Sequence, residues 1–263
     1  MNIDPAIFKD YDIRGIYPTQ LNKDVARAIA YGIVRHFKPK SIAIGRDMRL
    51  SGAELCEAFV EVFISLGIDV YDAGLIGTEI AYFIAAEKPY EMTLMISASH
   101  NPPQYNGIKV VLRGPIAVTS DSGLFAVRDL AAVGPLPASL TKGTRTPLDV
   151  FSDWRKKLLS LLDTKNLQPF SVVADAGNGM AGVLISKVFE GLPPRLLPMY
   201  FEPDGSFPHH VPNPLVEANN KELIAKVIET HADLGITFDG DADRMFSIDD
   251  KGRFINGTIT TAI

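Results

Sequence analysis

With 263 residues, 46% of them hydrophobic and 22% charged, the chain has the material for a solid core in one or two domains of soluble α/β type. A formal net charge of −5 disfavours a nucleic-acid or lipid-surface partner, and the single cysteine, Cys56, rules out an intramolecular disulfide. No apolar run approaches a membrane span and Met1 to Gly15 has no signal-peptide pattern, so a cytoplasmic protein is expected, in which the sequon Asn256-Gly257-Thr258 is chemically idle.

In chain order, the apolar run Ser41 to Ile44 reads as a strand, followed by a polar loop and a helix from Ala53 to Leu66. Ser51 and Glu54 have the spacing of a capping box at its entry, Cys56 falls on its apolar face, and Gly67 stops it before a strand at Ile68 to Tyr71. Thr78 is placed to cap a helix running to Glu87. Met92 to Ile96 is a short apolar strand, broken by Ser97-Ala98-Ser99-His100-Asn101-Pro102, because proline blocks both helix and ladder. Asn106-Gly107 then predicts a tight turn into a strand at Ile108 to Leu112, which carries Lys109 beside the serine loop.

From Gly134 to Pro147 the chain is rich in Pro, Gly, Ser and Thr, which marks a boundary before a helix around Val150 to Leu162. A strand, a glycine turn and a helix then repeat over Ser171 to Phe189, with another strand at Arg195 to Met199. Leu234 to Phe238 is a last short buried strand, and it ends in Asp239-Gly240-Asp241-Ala242-Asp243-Arg244.

This acidic segment has legible chemistry. In an extended chain Asp239, Asp241 and Asp243 point to one side, and three converging carboxylates call for a hard cation such as magnesium, manganese or calcium. Arg244 can fork two donors onto a phosphate beside that cation. An EF-hand calcium loop would need Gly where Arg244 stands and Glu where Asp250 stands, so that reading fails. Ser99, presented at a strand's end, is the candidate nucleophile. His100 as its base would make a serine hydrolase, but adjacent residues in an extended segment point apart and no Gly-x-Ser-x-Gly elbow surrounds Ser99. Gly177, Gly179 and Gly182, with Glu202 beyond them, also fit a dinucleotide fingerprint, which would explain neither Ser99 nor the aspartates.

Together, Ser-Ala-Ser-His-Asn-Pro, Asn-Gly-Ile-Lys and Asp-Gly-Asp-Ala-Asp-Arg resemble the phosphoserine and metal loops of the α-D-phosphohexomutases, the phosphomannomutase/phosphoglucomutase family. Tyr11-Asp12-Ile13-Arg14-Gly15, then Gly45-Arg46-Asp47 with Arg49 and Ser51, then Asp175-Ala176-Gly177-Asn178-Gly179, and lastly Pro203-Asp204-Gly205 through Asn213-Pro214 are similar to further family signatures in the same order. The resemblance implies two similar three-layer α/β domains with mixed sheets between helices, at 1–140 and 150–258, with 259–263 beginning a third. It implies a reversible mutase moving phosphate between C1 and C6 of a hexose through a phosphoserine and a bisphosphorylated sugar. Ser99 would carry the phosphate, and Asp239, Asp241, Asp243 and a phosphate oxygen on Ser99 would hold Mg2+. Arg244 and Asn101 would bind phosphate, Arg14 and Lys109 would steer it or move protons, and His100 would act in catalysis or orient the loop. A hexose 1,6-bisphosphate would be the activator and a hexose phosphate the substrate.

Two departures stand out. Gly77-Thr78-Glu79 replaces a Pro-Thr-Pro turn, and neither the family's Gly-Glu-x-Ser sugar-selecting loop nor its C-terminal Arg/Ser/Thr phosphate clamp is found. Sugar choice then lies outside this sequence, and the missing C-terminal half becomes an expected partner. Phosphoglucosamine mutase, a non-enzymatic metal- or phosphosugar-binding remnant, and an aspartyl-phosphate phosphatase with Asp239 as nucleophile are the alternatives.

Overall fold

The computed structural model describes residues 3–255 and 257–262, so Asn256 of the sequon and Ile263 of the expected third-domain start lie outside the described residues. The chain divides into two compact units. One comprises residues 3–98 and 104–150; the other comprises Ser99–Pro103 together with the chain from Phe151 onward.

The first unit contains strands β1 (Ile13–Ile16), β2 (Ser41–Arg46), β3 (Asp69–Leu75), β4 (Met92–Ile96), β5 (Tyr105–Leu112), β6 (Ile116–Ala117) and β7 (Arg145–Pro147). Its helices are α1 (Lys23–Phe37), α2 (Gly52–Ser65), α3 (Thr78–Glu87) and α4 (Phe125–Ala131). The sheet runs β1-β5-β4-β2-β3-β7 with β6 on β5; β4, β2, β3 and β7 are parallel, while β1 and β5 are antiparallel to their neighbours. Strand alternation builds the layers. Ile42, Ile44, Leu94, Ile96 and Val110 share one buried cluster with Ile29 of α1, Phe59 and Phe63 of α2 and Val127 of α4. The intervening residues Ala43, Thr93, Met95 and Val111 are equally buried, and α3 packs against β4 and β5. Cys56 is buried as expected, and burial pushes its thiol up to about 12, so it is an inert core residue.

The second unit holds α5 (Phe151–Leu159), β8 (Ser171–Asp175), α6 (Ala181–Phe189), β9 (Arg195–Met199), α7 (Lys221–Thr230), β10 (Leu234–Phe238), β11 (Met245–Asp249), β12 (Phe254–Ile255) and α8 (Gly257–Ala262). Its sheet order is β12-β11-β10-β8-β9, parallel from β10 through β8 to β9 and antiparallel at β11 and β12. Alternation again divides the core. Val172, Ala174, Ile236 and Phe238 pack with Ala181 and Ile185 of α6, whereas Val173 and Ile248 pack with Leu223 and Val227 of α7. Both units are thus mixed sheets flanked by helices, as expected. Among the described residues no helix is long and apolar enough to cross a membrane.

Three local expectations give way to long-range contacts. Asn106 and Gly107 do not turn; they lie inside β5, opposite Gly15 and Arg14. A side chain at Gly107 would meet the Ser97 carbonyl at 2.6 Å and that of Ile13 at 2.4 Å, so the glycine serves close strand approach. Ser51 stands at the N-cap of α2 but makes no side-chain capping bond: its hydroxyl accepts from Asn106 Nδ2 at 2.8 Å, and Glu54 accepts from the Tyr17 hydroxyl. Thr78 opens α3 behind Gly77, the cap residue, and its hydroxyl accepts from Lys109 Nζ at 3.2 Å.

Candidate functional site

β10 delivers the acidic loop. The strand ends at Phe238, and Ala242 takes a left-handed conformation (φ 62°), so residues 239–243 form a tight turn rather than the extended run expected. The turn still converges the carboxylates: one ligand atom from each of Asp239, Asp241 and Asp243 lies within 4.8 Å of the others. Asp239 and Asp241 are fully buried and Asp243 is exposed. Burial first, then the charges of Asp241 and Asp243, pushes the Asp239 carboxyl up to about 7, against the opposing pull of Arg244 and Ser99. A buried, all-oxygen, mutually repelling set of this kind fits a hard divalent cation, which would relieve that repulsion.

Ser99 sits on this loop. Its hydroxyl donates to Asp239 Oδ2 at 2.6 Å, and Arg244 Nη2 donates to Ser99 Oγ at 2.5 Å. Arg244 also donates to Asp239 from its backbone N (3.1 Å) and from Nε (2.9 Å), and it contacts His100 Nδ1. Ser99 is itself left-handed (φ 53°). That conformation swings the side chains of Ser99 and His100 to a shared guanidinium, correcting the expectation that adjacent residues here point apart. Arginine can only donate, so His100 presents Nδ1 as an acceptor, with Ser99 Oγ 3.5 Å from the same nitrogen. Gly240 makes the fit: a Cβ there would lie 2.5 Å from the Ser99 carbonyl oxygen, closer than backbone allows. Asn101 is half-buried in the same loop.

Arg14 and Lys109 belong to the first unit. Arg14, on β1, pairs with Asp12 at 2.8 Å and donates to the Ala98 carbonyl, next in sequence to Ser99, at 3.2 Å. Lys109, on β5, reaches Thr78 as described.

The glycines of the dinucleotide-like pattern are occupied by the chain itself. A Cβ at Gly179 would meet the Gly240 oxygen at 2.8 Å, and one at Gly182 would meet the Phe201 oxygen at 2.1 Å. Sequence reasoning singled out Asp175 and Asn178 only as a signature and passed over His210. The structure pairs Asp175 Oδ2 with His210 Nε2 at 3.0 Å, and Asn178 Oδ1 with His209 Nδ1 at 2.8 Å. The adjacent histidines after Pro208 were the available signal.

Two family models match this chain: phosphoglucomutase/phosphomannomutase alpha/beta/alpha domain I over residues 5–127, and domain II of the same family over residues 151–252. The chain belongs to the phosphoglucomutase/phosphomannomutase family. A Xanthomonas campestris protein described as phosphohexose mutases is 39% identical over 251 residues, covering 95% of this chain and 56% of that one. An Escherichia coli K12 phosphomannomutase is 37% identical over 257 residues, with 95% and 56% covered. Among solved structures, a Burkholderia thailandensis phosphoglucomutase/phosphomannomutase family protein superposes with a TM-score of 0.88 at 34% identity, covering 97% of this chain and 57% of that one. A Thermus thermophilus structure at 23% identity and TM-score 0.81, with 95% and 58% covered, supports the fold alone. The chain therefore spans a little over half the length of the curated relatives it matches.

Proposed function

We propose that this chain is the phosphoserine- and metal-bearing half of a phosphohexomutase, which moves phosphate reversibly between C1 and C6 of a hexose. The observation that carries the reading is Ser99 Oγ held 2.6 Å from Asp239 Oδ2, within an acidic turn and under Arg244. The phosphohexose mutase and phosphomannomutase relatives supply the substrate class, a hexose phosphate. In this reading 1–140 and 150–258 are the family's first two domains, the remaining half comes from the C-terminal part of such an enzyme, and the setting is the cytoplasm.

Phosphoryl transfer needs positioning and charge neutralisation more than covalent chemistry. Ser99 carries the phosphoryl group. The Ser99 Oγ–P bond breaks as a hydroxyl of the hexose monophosphate bonds the phosphorus; that hydroxyl gives up its proton and Ser99 Oγ regains one. The resulting bisphosphate returns its other phosphoryl to Ser99, so a hexose 1,6-bisphosphate also primes an unphosphorylated chain. Arg244, two of whose nitrogens already face the Ser99 and Asp239 oxygens, holds the phosphate against its developing charge. His100 fixes the guanidinium, while Asn101, Arg14 and Lys109 bind phosphate or pass protons. Asp239, Asp241 and Asp243, with a phosphate oxygen on Ser99, would hold Mg2+, which when bound offsets the phosphate charge.

Ser99→Ala tests the nucleophile. Incubated with magnesium and labelled glucose 1,6-bisphosphate, this variant is expected to acquire no covalent label. Label appearing in it at the wild-type level, on Asp239 for example, would transfer the role to a carboxylate.

A further inference from the structure

Gly240 is gripped from two sides by segments that carry no ligand. On one side the turn 176–180 reaches it, with Met180 N donating to the Gly240 carbonyl at 2.9 Å and Gly179 packed against its backbone. On the other side Pro212 lies 3.3 Å from where a Gly240 Cβ would stand. Pro212 also approaches Gly177, 3.1 Å from the position of its Cβ. The acidic loop therefore takes its shape from how these two segments are joined.

Asp175 and His210 join them. Asp175, fully buried at the end of β8, accepts from Gly177 N at 2.8 Å with Oδ1, which shapes the turn, and faces His210 with Oδ2. His210 Nδ1 meets the Val211 carbonyl at 3.1 Å. A carbonyl and a carboxylate only accept, so both ring nitrogens are placed to donate, which favours an imidazolium against the carboxylate. Burial works against that charge, but the Asp175 hydrogen bond and charge outweigh it and raise the histidine's pKa. A second strut runs parallel: Asn178, left-handed at φ 57°, donates to the Glu202 carbonyl at 2.9 Å while its Oδ1 meets His209.

We infer that the Asp175–His210 pair is a positioning pair for the cation site, clamping the turn 176–180 and the segment 209–212 onto Gly240 so that Asp239, Asp241 and Asp243 converge before a cation arrives. This rests on the acidic turn being a cation site, as proposed above. Neither residue touches the cation; they act through the backbone of the loop that bears its ligands, as outer partners of metal ligands do.

The test uses Mn2+ alone, titrated calorimetrically into the whole chain well below its melting temperature, with melting followed in parallel. His210→Ala and Asp175→Asn are each expected to weaken Mn2+ binding about 10-fold or more, the range found for outer partners of metal ligands. His210→Gln, which keeps a donor for Asp175, is expected to recover part of that loss. A merely structural pair would lower the melting temperature and leave affinity alone. Wild-type affinity in both Asp175→Asn and His210→Ala, each still folded, would overturn the inference while leaving the cation site intact. Absence of Mn2+ binding in the wild-type chain would overturn the cation site itself, and the inference with it.

Discussion

Asp239→Asn is expected to weaken Mn2+ or Mg2+ binding on the order of 100-fold, because ligand charge count tunes such sites over orders of magnitude. Asp239 is the hub of the turn: it is buried, it accepts from Ser99 and three times from Arg244, and it faces two more carboxylates. The amide keeps the shape but removes the charge that a cation needs and that Arg244 answers. Without a cation the same change relieves carboxylate repulsion, but both Asp239 oxygens accept from Arg244 or Ser99, so an amide N–H must face a donor and the variant is expected to melt lower than wild type in chelator as well. Calorimetry with paired melting curves reads both effects. Affinity within a factor of two of wild type would remove Asp239 from the ligand set.

Arg49→Leu is expected to destabilise the first unit by about 3–5 kcal/mol, the range for breaking one side of a buried ion pair. Arg49 and Asp47 are both inaccessible, with Nε 3.3 Å from Oδ2. Arg49 also receives its fold from the pair, since its backbone N donates to Asp47 Oδ1 at 3.0 Å, and its Nη1 donates to the Tyr105 carbonyl at 2.9 Å. Asp47 N in turn donates to the Ile96 carbonyl at 3.0 Å, the last residue of β4 before the serine loop. The leucine leaves a buried carboxylate without its guanidinium, and the start of β5 without its tie. Removing both charges with Asp47→Leu/Arg49→Leu is expected to restore part of the loss, because an apolar pair strands no charge. Urea unfolding reads the difference, and a cost below about 1 kcal/mol for Arg49→Leu would rule out the ion pair as the anchor.

Much of this was legible where chemistry is local. Short apolar runs located β2, β4, β8, β9 and β10, and at β2, β8 and β10 a Gly or Asp marks the end, because a buried strand needs continuous apolar residues and a breaker stops it. The serine and the three aspartates were legible as a set because few other arrangements use such residues at strand ends. The misreadings share one cause. Ser51, Thr78 and Asn106 have side chains that can bond nearby backbone, and each is instead bound by, or aligned with, a residue distant in sequence. Local capping or turn rules cannot weigh such a competitor. The acidic turn was misread for a related reason: left-handed Ala242 and Ser99 defeat the alternation argument, and only the packed glycine between two aspartates hinted at a close backbone crossing. The adjacent histidines after Pro208 mark His210, but its pairing with Asp175 spans 35 positions and has no local signature.

The central claim is that Ser99 and the acidic turn form one phosphoryl-transfer site. An intact mass with peptide mapping, before and after incubation with Mg2+ and glucose 1,6-bisphosphate, tests it most directly. The account predicts one added phosphoryl group, on Ser99, gained with Mg2+ and lost from the yield when the metal is chelated. Phosphate mapping to any other residue, or a chain that gains none even with the C-terminal half of a relative supplied, would contradict it.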